Sequence, residues 1–214
     1  RFSGTGINEM GDVLLLPINP KRASEKNAYD KETESADVGY YRVTKKDGVK
    51  VELTCSDRVA FHQYTYPEKE AQVLVDLQHG LRFVFDENNA KGLVVESSVK
   101  IENDHTISGY CSTDNWVKRT YFFTLTFDQP FVRSTELAKK ANEKAPKFLL
   151  DFLLDDALVL NVKIALSSVD IEGAKRNMET ELNHWDFQRV LAQNQMEWDR
   201  YLNRIEIKAP SKQK

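Results

Sequence analysis

The chain has 214 residues, 41% of them hydrophobic and 29% charged, enough apolar material for one large domain or two small ones. Its 30 Lys and Arg are dispersed among 33 Asp and Glu for a net charge of −3, so it carries no basic stripe to neutralise phosphates and nucleic acid is not an expected partner. No apolar run is long enough for a transmembrane segment, and two cysteines cannot build a disulfide framework.

The opening Arg1-Phe2-Ser3 carries neither an initiator Met nor a signal-like segment and reads as the interior of a longer protein. Most of the chain has a period of two, the spacing that places alternate side chains on one face of a sheet. Residues 12–18 form a compact apolar strand between Gly11 and Pro20, and the polar stretch 21–37 is expected to be an exposed, mobile connection. Strands at 39–44 and 49–54 flank Lys46-Asp47-Gly48, where Asp-Gly suits a tight hairpin. Residues 58–66 alternate, with Val59, Phe61, Gln63 and Thr65 facing one way and Ala60, His62, Tyr64 and Tyr66 the other. Strands at 71–77 and 81–85 precede the turn-forming Asp86-Glu87-Asn88-Asn89.

Two long strands, 92–102 and 105–111, turn at Asn103-Asp104, and 119–127 comes next with Tyr121, Phe123, Leu125 and Phe127 on one face. Residues 134–145 are polar and helix-prone, with Ser134 or Thr135 as N-cap. Residues 147–154 and 157–169 read as a last hairpin around Asp155-Asp156. The pattern then changes to helical: Asp170 caps a short helix to Leu182, and a longer one spans 186–203 with Phe187, Val190, Leu191, Trp198, Tyr201 and Leu202 as its apolar stripe. Antiparallel strands with turns every 8–12 residues or so argue for a mainly β sandwich or barrel and against a βαβ fold.

Little in this pattern assembles chemistry. None of His62, His79, His105 and His184 has the short spacing of a zinc site, and adjacent carboxylates such as Asp155-Asp156 and Asp86-Glu87 read as solvated turn residues. Cys55 and Cys111 lie in strand-like runs and read as small apolar side chains, a single disulfide being the less favoured alternative. Two features stand out. Ser3-Gly4-Thr5-Gly6 is a loop whose glycines permit close backbone approach to a ligand, or a tight turn before a strand. Trp116, in a polar loop between two strands, is either a stacking platform for a sugar ring or a packing residue.

Taken in order, the segments resemble the N-terminal domain of glycoside hydrolase family 92, bacterial exo-acting alpha-mannosidases. The likeness rests on Ser3-Gly4-Thr5-Gly6 through Gly11-Asp12 to Leu14-Leu15-Leu16-Pro17, then Gly39-Tyr40-Tyr41, Glu52-Leu53-Thr54 with Arg58, and Phe61-His62-Gln63-Tyr64-Thr65-Tyr66-Pro67. It continues through Asp76-Leu77, His79-Gly80, Gly109-Tyr110, Trp116, Tyr121-Phe122, Asp128, Pro130 and Phe131. It closes on Ser167-Ser168-Val169, Glu172-Gly173-Ala174, Asn177, Glu181, Trp198, Leu202 and Ile205-Glu206.

The resemblance implies an antiparallel β-supersandwich of the galactose mutarotase type over 1–169, a helical connector over 170–205, and a linker over 206–214 to an (α/α) barrel. It implies a calcium-dependent, inverting enzyme that releases mannose from alpha-mannoside glycans of the N-glycan or mannan type. It places that enzyme in the periplasm, at the outer membrane or outside the cell. The catalytic carboxylates belong to the barrel, and inversion asks that they stand roughly 6.5–9.5 Å apart. The chain by itself is therefore expected to be inactive, with Ser3, Gly4, Thr5, Gly6 and Trp116 contributing to the sugar subsite between the domains. Calcium ligands are expected mainly outside the chain. Two other readings compete. A stand-alone carbohydrate-binding module would need Trp116 or the Tyr64/Tyr66 face as an exposed platform. A mutarotase-like epimerase would pair His62 or His105 with Glu52 or Glu96.

Overall fold

The computed structural model describes residues 13–78, 94–114, 118–139 and 143–205. In chain order the elements are β1 (Leu14–Ile18), a 3-10 turn (Pro20–Glu25), β2 (Tyr29–Asp37), β3 (Tyr40–Lys45), β4 (Lys50–Cys55), β5 (Val59–Thr65) and β6 (Glu70–Asp76). Then come β7 (Val94–Ile101), β8 (Thr106–Asp114), β9 (Lys118–Phe127), β10 (Phe131–Glu136), β11 (Lys147–Leu153), β12 (Val159–Ser167), α1 (Ile171–Glu181) and α2 (Phe187–Leu202). The strands form two antiparallel sheets, one in the order β1-β6-β11-β10 and one in the order β2-β3-β4-β5-β12-β9-β8-β7. The fold is a β-sandwich with two helices on the outer face of its larger sheet.

The core arises from the period-two pattern. Tyr121, Phe123, Leu125 and Phe127 of β9 and Tyr64 of β5 point between the sheets, where they meet Val73 and Val75 of β6 and Leu150 and Phe152 of β11. Three rings lock the two sheets together, with Phe127 5.0 Å from Phe152 and 6.3 Å from Phe131 between centroids. Alternate residues of the larger sheet face the other way. Val59, Phe61 and Ala165 form a second apolar cluster with Met178, Leu182, Phe187 and Val190 of the helical region. Asp170 caps α1 by accepting from Gly173 N, as its position before the apolar stripe predicts, and Asp186, expected inside the second helix, instead caps α2 by accepting from Arg189 N.

A buried polar staple ties β1 to the β3–β4 hairpin. The carboxylate of Asp47 accepts from Lys45 Nζ at 2.8 Å, from Asn19 N at 3.2 Å and from Val49 N at 3.2 Å. With every one of these donors aimed at it, the side chain is fully buried without an orphaned charge. Gly48 supplies the positive φ of 91° that the hairpin needs.

Three expectations fail. The stretch 21–37 is not a mobile connection: it contains the 3-10 turn and edge strand β2, which pairs with β3 across an irregularity between Asp30 and Ser35. Its charges hid it, because an edge strand has one open side where charged side chains are tolerated and discourage edge-to-edge association. The helix-prone 134–145 begins as strand β10, with Ser134 and Thr135 paired to Leu150 and Leu149. Ladder bonds to β11 and the 2.6 Å Arg133–Asp151 ion pair outweigh a weak helical propensity. Finally, β11 and β12 are not a hairpin. They lie in opposite sheets, and the chain crosses between them around Asp155-Asp156 with Leu158 at φ 56°. Both segments have one apolar face, and each buries it from its own side of the same core. The expected strand 81–85 lies outside the described residues.

Candidate functional site

The register brings many strand ends to one end of the sandwich. In the smaller sheet Asp76 pairs with Leu14, the first residue of β1, and with Lys147, the first of β11. In the larger sheet Val94, the first of β7, pairs with Thr113, and Asp114 pairs with Lys118. Cross-sheet contacts show that these are the same end. Cys111 Sγ lies 3.9 Å from Leu77 O, Gln78 Oε1 accepts from Lys144 N and Ala145 N at 2.9 Å, and Ser97 Oγ reaches Lys144 O at 3.4 Å.

The sequence-derived candidates Ser3, Gly4, Thr5, Gly6 and Trp116 lie outside the described residues. Their described flanks Val13, Asp114 and Lys118 all stand at this one end, a proximity that no spacing in the sequence announces. Here too is Thr113 Oγ1, a buried hydroxyl oxygen with no hydrogen-bond partner among the described residues. Such a group costs stability unless a partner arrives from elsewhere.

The epimerase pairing does not form. Glu52 is opposite Gln63 in the β4–β5 ladder and His62 is opposite Leu53, so the two side chains leave the sheet on opposite faces. Glu52 is held ionised by Lys50 and Tyr40 despite its burial, at 2.8 and 2.5 Å. His62 faces inward, where the Tyr64 phenol lies 2.6 Å from its Nδ1. Burial pushes the imidazole down to about 3 and the phenol well above its ordinary range, so the pair is a neutral core hydrogen bond. His105 stands at the β7–β8 turn and bonds Phe127 O at 2.9 Å, whereas Glu96, opposite Ser112, is about 20 Å further along the strands. Strands β4 and β8, and likewise β5 and β7, are four positions apart in the sheet, about 19 Å, which rules out the crossed pairings.

The platform that a binding module would need is also gone at Tyr64 and Tyr66, both buried in the core. The exposed aromatics of the described residues are elsewhere, Tyr29 at the start of β2 and Trp198 and Tyr201 on α2. Trp198 and Tyr201 overhang a groove of about 820 Å³ between α2, the end of α1 and the β4–β5 turn. Its frame is rigid. Glu181 accepts from Ser56 Oγ at 2.6 Å, from Arg58 N at 2.9 Å and from Arg58 Nε, and Asn194 Nδ2 donates to Cys55 O at 2.8 Å. The donors around Glu181 hold its carboxyl below the usual range although burial opposes them.

Cys55 and Cys111 form no disulfide with each other, lying on strands four positions apart in the sheet, so the disulfide alternative falls. Asp155 and Asp156 are turn residues, the first accepting from Ala157 N and the second paired with Lys69 at 2.5 Å. No group of three or more His, Cys, Asp or Glu able to hold a metal ion occurs among the described residues. No helix among them is long and apolar enough to cross a membrane.

Comparison with known proteins gives the chain a family. The model described as the glycosyl hydrolase family 92 N-terminal domain matches residues 1–167, and the one described as the family 92 catalytic domain matches residues 173–214. The chain is similar to a solved family GH92 alpha-mannosidase from Bacteroides thetaiotaomicron, with 26% identity, a TM-score of 0.80, and coverage of 97% of this chain and 31% of that one. The structure of that alpha-mannosidase in complex with mannoimidazole matches at 26% identity and a TM-score of 0.80, covering 97% and 30%. A family GH92 inverting mannosidase from the same species, 20% identical with a TM-score of 0.73 over 93% of this chain and 27% of that one, shares the fold. The chain thus spans about a third of the length of these structures, and no curated protein matches it. By its matched domain and its sandwich with two trailing helices, this chain belongs to glycosyl hydrolase family 92.

Proposed function

We propose that the chain is the N-terminal part of a calcium-dependent, inverting exo-alpha-mannosidase that acts outside the cytoplasm on alpha-mannosides of the N-glycan or mannan type. The observation that carries this reading is the match of the family's N-terminal domain over residues 1–167 with its catalytic domain taking over at residue 173. The sandwich is a scaffold and a wall of the site. Its rigid two-sheet core presents, at one end, the strand ends from which the segments with Ser3, Gly4, Thr5, Gly6 and Trp116 depart. Those residues are proposed to line the sugar subsite.

In this reading the acid and base carboxylates, and the ligands for calcium, lie outside the described residues. Calcium suits a site that grips vicinal sugar hydroxyls because it takes oxygen ligands flexibly.

The test uses the chain extended past Lys214. It should release mannose from a simple alpha-mannoside, with the beta anomer as first product by NMR, and lose activity to a chelator. The 214-residue chain should release none. An extended protein inactive on every alpha-mannoside, with or without calcium, sinks the reading.

A further inference from the structure

The apolar stripe of α2 is only half used. Its first turns, at Phe187 and Val190, are buried against Phe61 in the second core cluster. The same stripe continues through Trp198, Tyr201 and Leu202, which are 51%, 56% and 53% exposed. Three large apolar side chains in adjacent helical turns, above a groove of about 820 Å³, form a patch of the kind that marks an interaction surface. Trp and Tyr are also the side chains that most often anchor one.

The charge of the groove is one-sided. Asp57 and Glu197 line it, neither makes an ion pair among the described residues, and no Lys or Arg is among its lining residues. Its third carboxylate, Glu181, is already engaged by Arg58. A second copy of this chain is a poor occupant, because a two-fold contact would set these carboxylates against their own counterparts. The helical residues that line the groove fall within the stretch matched by the family's catalytic domain, residues 173–214, while the similar structures are about three times longer than this chain.

We propose that this groove seats a segment of the same polypeptide from beyond residue 214, one that presents apolar side chains next to Lys or Arg. The inference rests on the reading of the chain as part of a longer family 92 enzyme. It makes α2 a two-faced element, one half sewn into the sandwich and the other half the socket for the downstream segment. Burial of the exposed half-stripe would exclude water from the aromatic anchors, and the cation would satisfy Asp57 and Glu197.

Hydroxyl-radical footprinting read residue by residue compares the 214-residue chain with the chain extended past Lys214. Oxidation of Trp198 and Tyr201 should fall several-fold in the extended protein. Asp57→Lys together with Glu197→Lys should lower the thermal midpoint of the extended protein and leave that of the 214-residue chain unchanged. Equal oxidation in both proteins overturns the proposal. So does protection that appears in the 214-residue chain as its concentration rises, or on addition of mannotriose, since the occupant would then be a second copy or a glycan. An extended protein that is protected but hydrolyses no alpha-mannoside keeps the socket and loses the functional reading; one that is active but unprotected does the reverse.

Discussion

Lys163 Nζ lies 3.9 Å from the centroid of the Trp185 ring, on the outer face of the larger sheet, and donates to Leu182 O at 2.9 Å. A buried cation thus holds the corner between α1 and α2 with no salt bridge among the described residues, Asp128 adding only a weaker attraction. The ammonium closes the carbonyl end of α1, and the ring face supplies the negative potential that a salt bridge would otherwise provide. Burial still costs more than these contacts return, and it pushes the Lys163 amine down to about 8.

Stability therefore rises with pH through this group. Below about 8 the folded and unfolded chains both carry the proton, and the full cost of the buried charge is present. Between about 8 and the ordinary lysine value of 10.5 the unfolded chain holds more protons than the folded one, so raising pH favours the fold. From about pH 7.5 to about pH 9.5 this group should add about 2 kcal/mol to the free energy of unfolding. Urea titrations at the two pH values should show that gain in the wild type and its absence in Lys163→Met. Identical pH dependence in the two proteins would contradict the assignment.

His62 gives the opposite edge of the stability window. Its imidazole is pushed down to about 3 from 6.5, so as pH falls below 6.5 the unfolded chain takes up a proton that the folded chain refuses. Stability should drop by up to about 1.4 kcal/mol per pH unit in that range, roughly 2–3 kcal/mol by about pH 4.5. His62→Gln, which keeps a polar partner for Tyr64, should unfold with a shallower acid dependence by urea titration. The same acid slope in both proteins argues that the ring takes up its proton alike in the folded and unfolded chains.

Phe61 is the hinge between sandwich and helices. It is fully buried and meets Trp185 at 6.0 Å and Phe187 at 5.3 Å, both edge-on. Phe61→Ala should cost about 3–5 kcal/mol, because the cavity falls between layers that cannot close on each other. Hydrogen exchange should show α1 and α2 losing protection before the strands do. Uniform loss across the whole molecule would mean that the two layers unfold as one unit.

Gly109 sits where β7 crosses close to β8: a Cβ built there would stand 2.2 Å from the backbone oxygen of Ser98 and 3.1 Å from the Phe123 ring. The carbonyl cannot move without breaking the β7–β8 ladder, so Gly109→Ala should lower the thermal midpoint by several degrees. A midpoint within a degree or so of wild type would show that β7 slides freely on β8.

Much of this architecture is legible in the order of residues. The inward face of β9 and the alternation along β5 come from period two, while the first helix is announced by Asp170 and the second by its apolar stripe. Family membership is also legible, since it rests on an ordered set of residues. Where a strand pattern fails, the cause is visible. β2 is an edge strand written in charged residues, and β10 carries helix formers overruled by its pairing with β11.

Sequence by itself determined which residues face inward and where the helices begin, because those choices depend on spacing and on local backbone donors. Tertiary structure alone decided which sheet each strand joins. β11 and β12 are neighbours in the chain and lie in opposite sheets, since each must bury one apolar face and the core they share lies between them. It also decided that Glu52 and His62, close in the sheet, project from opposite faces, and that Val13, Asp114 and Lys118, the described flanks of residues 3–6 and of Trp116, stand at one end. Ladder register sets those neighbourhoods, and register is a property of paired strands that no single strand contains.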